Sequence, residues 1–137
     1  RLVSNQNSAK ITQMIIKYLQ KKAPKSVKVK VTPHHGGIPA VVSTSSTGYQ
    51  AASKAFEQSW GKKPIPTMEG GSIPIVALFI QELRTEPILM GFGLDSDNIH
   101  SPNESYGLFN YFKGIETIAC FYNHFSQIWK KNKGYNL

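Results

Sequence analysis

Cysteine is nearly absent from this sequence: Cys120 stands alone among 137 residues. No internal disulfide can staple the fold. A single thiol among apolar neighbours reads as a core residue, and it fits a reducing, cytoplasmic setting. Long apolar runs are missing as well. No stretch reaches the roughly eighteen apolar residues that a membrane-spanning helix needs, and the first residues lack the charged, apolar and small-residue succession of a signal peptide. No membrane partner is therefore expected. There is also no initiator Met: Arg1 falls inside what reads as a strand, so the expectation is that an amino-terminal portion precedes it. Repeats and low-complexity tracts are not found. What is present, 40% hydrophobic residues in a chain of this length, suffices for the core of one ordinary globular domain.

Acidic residues are scarce: eight Asp and Glu stand against sixteen Lys and Arg, a formal net charge of +8. Clustered cations can neutralise phosphates, which raises a nucleic-acid partner as a hypothesis. Their placement argues against one. Lys21, Lys22, Lys25, Lys28 and Lys30 surround one helix end and one strand face, while Lys130, Lys131 and Lys133 form a terminal tail. No aromatic residues interleave them to stack bases. The basic residues read as solvated faces, and no nucleic-acid partner is expected.

Taken in order, the pattern is mixed helix and strand. Residues 1–3 read as the end of a strand, and the polar stretch 4–8 supplies an N-cap. Ile11, Met14, Ile15, Tyr18 and Leu19 then recur at helical spacing until Pro24. Val27, Val29 and Val31 alternate with Lys28 and Lys30, as in a half-buried strand. The run Thr32-Pro33-His34-His35-Gly36-Gly37 has turn composition and marks a boundary near residue 40. Adjacent histidines on an extended chain point to opposite faces, so His34 and His35 read as turn residues rather than joint ligands.

Beyond the boundary, Tyr49, Ala52, Phe56 and Trp60 form a helical stripe closed by Gly61. Pro64-Ile65-Pro66 reads as a short strand leading into Glu69-Gly70-Gly71-Ser72. The next helix has Ser72 as its expected N-cap, Pro74 in its first turn, and Ile75, Val76, Phe79, Ile80 and Leu83 inward. Residues 87–93 read as a strand covered on both faces. A final helix from about Tyr106 to Lys131 carries the longest apolar stripe, Leu108, Tyr111, Phe112, Ile115, Ile118, Ala119, Tyr122, Phe125 and Trp129. His124, near its carboxyl end, meets the helix dipole and reads as structural.

Two loops carry chemistry. The first is Glu69-Gly70-Gly71-Ser72, where glycines let backbone approach a ligand and the following helix start leaves N–H groups free; an ordinary glycine turn is the alternative. The second is the stretch from Leu94 to Glu104, which places His100 at the carboxyl end of an apolar strand, where open α/β sheets hold ligands. Ser101-Pro102 fixes the turn behind it. A neutral imidazole held there suits zinc, although a polar loop whose histidine meets only solvent gives the same local pattern.

His100-Ser101-Pro102-Asn103-Glu104, preceded by Gly91-Phe92-Gly93-Leu94-Asp95-Ser96-Asp97-Asn98, resembles the last metal-ligand motif of a known family. This is the group of zinc-dependent exopeptidases and deacylases that includes carnosinase-type dipeptidases, acetylornithine deacetylase and succinyl-diaminopimelate desuccinylase. Arg1-Leu2-Val3-Ser4-Asn5-Gln6 resembles a strand end of that family's lid, and Glu69-Gly70-Gly71-Ser72-Ile73-Pro74 its substrate-binding loop. The likeness runs from Arg1 to about Ile128 and is nearest to the carnosinase-like dipeptidase branch.

The resemblance implies an α/β fold: residues 1–40 as the second half of a ferredoxin-like (α+β) lid that makes a homodimer, and residues 41–137 as the carboxyl-terminal part of a zinc-exopeptidase catalytic domain. It implies His100 as a metal ligand of a two-zinc centre, with manganese or cobalt as alternatives. Arg1 would clamp the substrate's terminal carboxylate, Gly71 and Ser72 would contact the substrate, and Glu104 would orient the His100 loop; capping the last helix is an equal account of Glu104. No catalytic general base is assigned within the chain. The implied substrates are small peptides or N-acyl amino acids, and these 137 residues alone are expected to be inactive. Met68 departs from the pattern, since a basic residue commonly stands there in the dipeptidase branch. A non-catalytic interaction or dimerisation module is the alternative from another class.

Overall fold

The computed structural model describes residues 2–34, 36–68 and 73–134. The chain forms two compact units, one made of Arg1–Val41 with Thr67–Pro87 and the other of Val42–Pro66 with Ile88–Leu137. Among the described residues the elements are four α-helices and one short 3-10 turn, and no helix is long and apolar enough to cross a membrane.

In the first unit, α1 (Ser8–Lys22) is capped by Asn7, whose side chain accepts the Lys10 N–H. It stops at Ala23, one residue before the helix-breaking Pro24. No residue of α1 is buried, so the expected apolar face of Met14, Ile15, Tyr18 and Leu19 stays exposed. The second helix, α3 (Pro74–Leu83), is entered through Ile73 in extended conformation, without a side-chain cap. The N-cap expected at Ser72 is thus displaced by one residue, because Pro74 already supplies the fixed φ that a first helical position favours. Val76 and Ala77 are buried, whereas Ile75, Phe79 and Leu83 of the expected inward stripe are exposed.

The second unit is a helix pair. Ser46 caps α2 (Thr47–Trp60) by accepting the Tyr49 N–H, and Gly61 ends it in the left-handed conformation that glycine adopts at least cost. Its buried positions are Gly48, Ala51, Ala52, Ala55 and Ser59, at helical spacing. These face Asn110, Gly114 and Thr117, the buried positions of α4 (Leu108–Asn132). Small residues on both sides let the two backbones come close. A hydroxyl pair, Ser59 and Thr117 at 2.7 Å, joins them at the centre, and His124 reaches Gln58 at 2.8 Å farther along. This reverses the expectation for the last helix: Leu108, Tyr111, Phe112, Ile115 and Tyr122 lie outward. Cys120 is free and only half-buried.

The strands expected at residues 27–31, 64–66 and 87–93 do not form ladders among the described residues. A strand exists only with a neighbour that shares a backbone ladder, and none of these segments has one among the described residues. Val27 and Val29 are accordingly exposed, as is Ile65 between its two prolines. Residues 87–93 still show the two-residue alternation: Ile88, Met90 and Phe92 are half-buried, while Leu89, Gly91 and Gly93 are exposed. One face is covered rather than two. A Cβ on Gly48 would meet Ile88 at 2.6 Å, and one on Gly114 would meet the Phe92 ring at 3.1 Å, so both helices leave room for this segment. The Phe92 ring stacks on Phe56 and Trp60, and the Asn110 side-chain amide donates to the Phe92 carbonyl at 2.8 Å.

Candidate functional site

The docked segment ends where the His100 loop begins. Leu94 is extended, and Asp95–Asp97 form a single 3-10 turn. Asp97 then does three things at once. Its N–H donates to the Leu94 carbonyl at 3.0 Å, and its carboxylate Oδ2 accepts the Leu94 N–H at 2.8 Å. Its own carbonyl accepts the Ser105 N–H at 3.0 Å. The two ends of the stretch from Leu94 to Ser105 are tied to one residue, and that residue is buried, at 5% exposure.

Between those ends the backbone makes two successive turns. Asn98 accepts the Ser101 N–H at 2.9 Å, and Ser101 accepts the Glu104 N–H at 3.2 Å. The third residue of each turn has positive φ, His100 at 63° and Asn103 at 61°. That is the arrangement of type II turns, and Ser101-Pro102-Asn103-Glu104 has Pro at the second place and Asn at the third, where that turn type favours them. Asn98 is also left-handed, at φ 52°. Three non-glycine residues in this region within six positions is unusual, since each costs about 1 kcal/mol relative to ordinary backbone. Asn and His are among the side chains that tolerate it.

His100 is exposed. Its backbone N–H points to Glu104 Oε2 at 3.3 Å, so Glu104 holds the main chain of the histidine rather than its ring. Glu104 is not the cap of the last helix, because α4 is entered at Gly107 without a side-chain cap. The His100 imidazole makes no hydrogen bond to the described residues, which leaves its nitrogens available to a ligand. No group of three or more His, Cys, Asp or Glu able to hold a metal ion occurs among the described residues. The donor set therefore fits one coordination position of a metal centre, and not a complete site.

The other residues singled out in the sequence stand apart. Arg1, Gly71 and Ser72 lie outside the described residues, as does His35; Met68 is exposed. His100 and Glu104 are the pair that the structure brings together. The sequence reading missed Asp97 and the two left-handed asparagines. The signal was present: an Asp three residues after the end of an extended segment can cap back onto it, and Asn at the third position of a Ser-Pro-Asn turn is a known left-handed former.

The geometry thus supplies an exposed histidine on a double turn, at the end of a segment docked on a helix pair. The chain belongs to peptidase family M20/M25/M40, whose model matches residues 4–124. That range covers the His100 loop, α2 and α4 as far as His124, and it begins after Arg1. The chain is 31% identical over 130 residues to the Cys-Gly metallodipeptidase DUG1 of Candida albicans, with 93% of this chain and 27% of that protein covered. It is 28% identical to the human Beta-Ala-His dipeptidase, with 93% and 26% covered. The solved structure of the di-peptidase Dug1p from Saccharomyces cerevisiae superposes with a TM-score of 0.77 at 30% identity, covering 90% of this chain and 26% of that one. The chain thus spans 26–27% of the length of these curated relatives.

Proposed function

We propose that this chain is part of a metallohydrolase that cleaves the amide bond of dipeptides or N-acyl amino acids, and that His100 is one ligand of its two-zinc centre, with manganese or cobalt as alternatives. The observation that carries the reading is the presentation of His100: an exposed, uncommitted imidazole fixed by two turns and by a carboxylate on its own backbone N–H. When bound, a zinc pair supplies Lewis acidity and activates water for attack on the amide. Within this chain, the imidazole fills one coordination position and Glu104 keeps its main chain in place. Arg1, with a planar fork suited to a carboxylate, grips the substrate's free terminus, and Gly71 and Ser72 donate hydrogen bonds to the substrate. The printed names of the relatives, Cys-Gly and Beta-Ala-His dipeptidases, support small dipeptides as the substrate class.

On the same reading residues 1–40 belong to a ferredoxin-like lid through which the protein forms a homodimer, and residues 41–137 to the catalytic domain, in a cytoplasmic protein. One ligand and no general base leave the 137 residues inactive alone. The test uses the complete protein that contains this chain, with Cys-Gly and β-Ala-His as substrates. His100→Ala should reduce metal content and abolish metal-dependent hydrolysis; unchanged hydrolysis would remove the assignment. Arg1→Lys should lower kcat/KM about ten- to hundredfold for peptides with a free carboxylate and leave amidated analogues unaffected. The outward apolar face of α4 favours, as a second reading, an interaction module, which predicts association without hydrolysis.

A further inference from the structure

The loop that presents His100 is held by a residue to which no role has been given. Asp97 is buried at 5% exposure, although it lies between the exposed residues Ser96 and Asn98. Its three backbone and side-chain bonds close the stretch from Leu94 to Ser105 at both ends. Everything between, including the left-handed turns at Asn98, His100 and Asn103, is a strained span that would relax if its ends separated. Within the span the bonds are those of the two turns and the 3.3 Å contact of Glu104 with the His100 N–H. Glu104 itself is exposed and flanks the histidine, so it can steady the ring's backbone but cannot fix where the span begins and ends.

We propose that Asp97 is the positioning residue for His100: its carboxylate acts as an acceptor for the Leu94 N–H and so fixes the loop from which the imidazole reaches a metal. Its side chain is committed to the backbone and is not itself a ligand. The packing agrees, because a Cβ on Gly93 would already lie 3.5 Å from Asp97 Oδ2, so the carboxylate lies against the main chain that it holds. The inference rests on His100 being a metal ligand. It adds a specific chemical requirement: an oxygen acceptor at one place, with no need for negative charge.

The requirement separates two substitutions. Asp97→Asn keeps an oxygen acceptor at the same reach, whereas Asp97→Ala keeps none. In the complete protein, Co(II) affinity and visible absorption are measured by titration of the metal alone, with thermal unfolding of the apo form alongside. Asp97→Ala should weaken Co(II) binding about ten- to hundredfold, the usual effect of losing a group that orients a ligand, and alter the absorption bands. Asp97→Asn should remain within about threefold of the parent on that scale. His100→Ala serves as the reference for a lost ligand.

If His100→Ala weakens binding and Asp97→Ala does not, the positioning role is overturned while the metal reading stands. If His100→Ala has no effect, the metal reading itself fails. Asp97→Asn as damaging as Asp97→Ala would also overturn the proposal, because charge rather than acceptor geometry would then be the requirement. Should Asp97→Ala fail to fold, amide exchange in the unaltered 137-residue chain decides. The Leu94 amide, bonded to the Asp97 carboxylate, should exchange at least tenfold more slowly than the Ile99 and Asn103 amides within the span; equal rates overturn it.

Discussion

Ser59 Oγ and Thr117 Oγ1 lie 2.7 Å apart, both buried, at the point where α2 meets α4. Around them the Trp60 indole N–H donates to Thr117 Oγ1 at 2.9 Å. Each hydroxyl also lies within reach of its own helix, Ser59 of the Ala55 carbonyl and Thr117 of the Lys113 carbonyl. Two hydroxyl protons serve three contacts, so whichever hydroxyl donates across the interface gives up its bond to its own helix. The Lys113 ammonium closes the group from outside by donating to the Ser59 carbonyl at 2.8 Å. No buried side-chain polar atom among the described residues lacks a partner.

Thr117→Val keeps the shape and removes the shared oxygen. It leaves the Trp60 N–H without its acceptor, a loss of about 1–3 kcal/mol. Ser59→Ala removes one hydroxyl while Thr117 keeps the Lys113 carbonyl, so about 1 kcal/mol is expected. Urea unfolding of the chain should rank Thr117→Val as the more damaging. The reverse order would mean that the Trp60 bond contributes little.

Gly48 and Gly114 invite opposite outcomes for the same substitution. A Cβ at Gly48 would stand 2.6 and 2.8 Å from two Ile88 carbons, too close to keep the present packing. Overpacking of this kind costs about 1–3 kcal/mol, and Gly48 lies in the first turn of α2, where helix propensity offsets little. Gly114 lies mid-helix, with the Phe92 ring at 3.1–3.5 Å, where a small ring shift is offset by the roughly 1 kcal/mol that Ala gains over Gly. Gly48→Ala should therefore lower Tm by several degrees while Gly114→Ala leaves it nearly unchanged, as thermal unfolding can show.

The His100 loop allows a test of backbone strain. Asn103 has φ 61°, so Asn103→Ala should destabilise by about 1 kcal/mol and Asn103→Gly should be nearly neutral. Equal effects in denaturant unfolding would show that the Asn side chain, rather than its tolerance of this conformation, matters there.

Local signals were legible in the sequence and lateral packing was not. A cap within residues 4–8, Pro24 and Gly61 as stops, and the Ser101-Pro102 turn all follow from short-range chemistry, and helix limits fall within about two residues of the pattern. The strands could not be settled locally, because a strand is a property of two segments and the described residues supply no partner. The face of α4 misled for a related reason. Its large apolar residues form a broad stripe, yet contact with α2 is made by Asn110, Gly114 and Thr117, since small residues opposite Ala51, Ala52 and Ala55 bring two helices closest. Of the site, His100 and Glu104 were readable as a motif. Asp97 was passed over, although an Asp three residues after the extended Leu94 carried a local signal for the bond it makes.

The outward face of α4 gives the sharpest contrast between pattern and packing. Phe112 belongs to the apolar stripe, yet it is 64% exposed and its described ring neighbour is Tyr111, edge-on at 5.4 Å. A core phenylalanine truncated to a small residue loses about 3–5 kcal/mol. An exposed one loses at most about 1 kcal/mol, its share of the edge-on pair, because Phe and Ser have similar helix propensities. Phe112→Ser should accordingly leave the unfolding midpoint of this chain close to the parent's. In the complete protein the same substitution reports on whether that face is covered: a loss there of several kcal/mol, absent from the 137-residue chain, would mean that the stripe belongs to a core that other parts of the protein complete. A large loss in the 137-residue chain itself would instead place Phe112 in the α2–α4 interface and overturn the assignment of Asn110, Gly114 and Thr117 as the buried face.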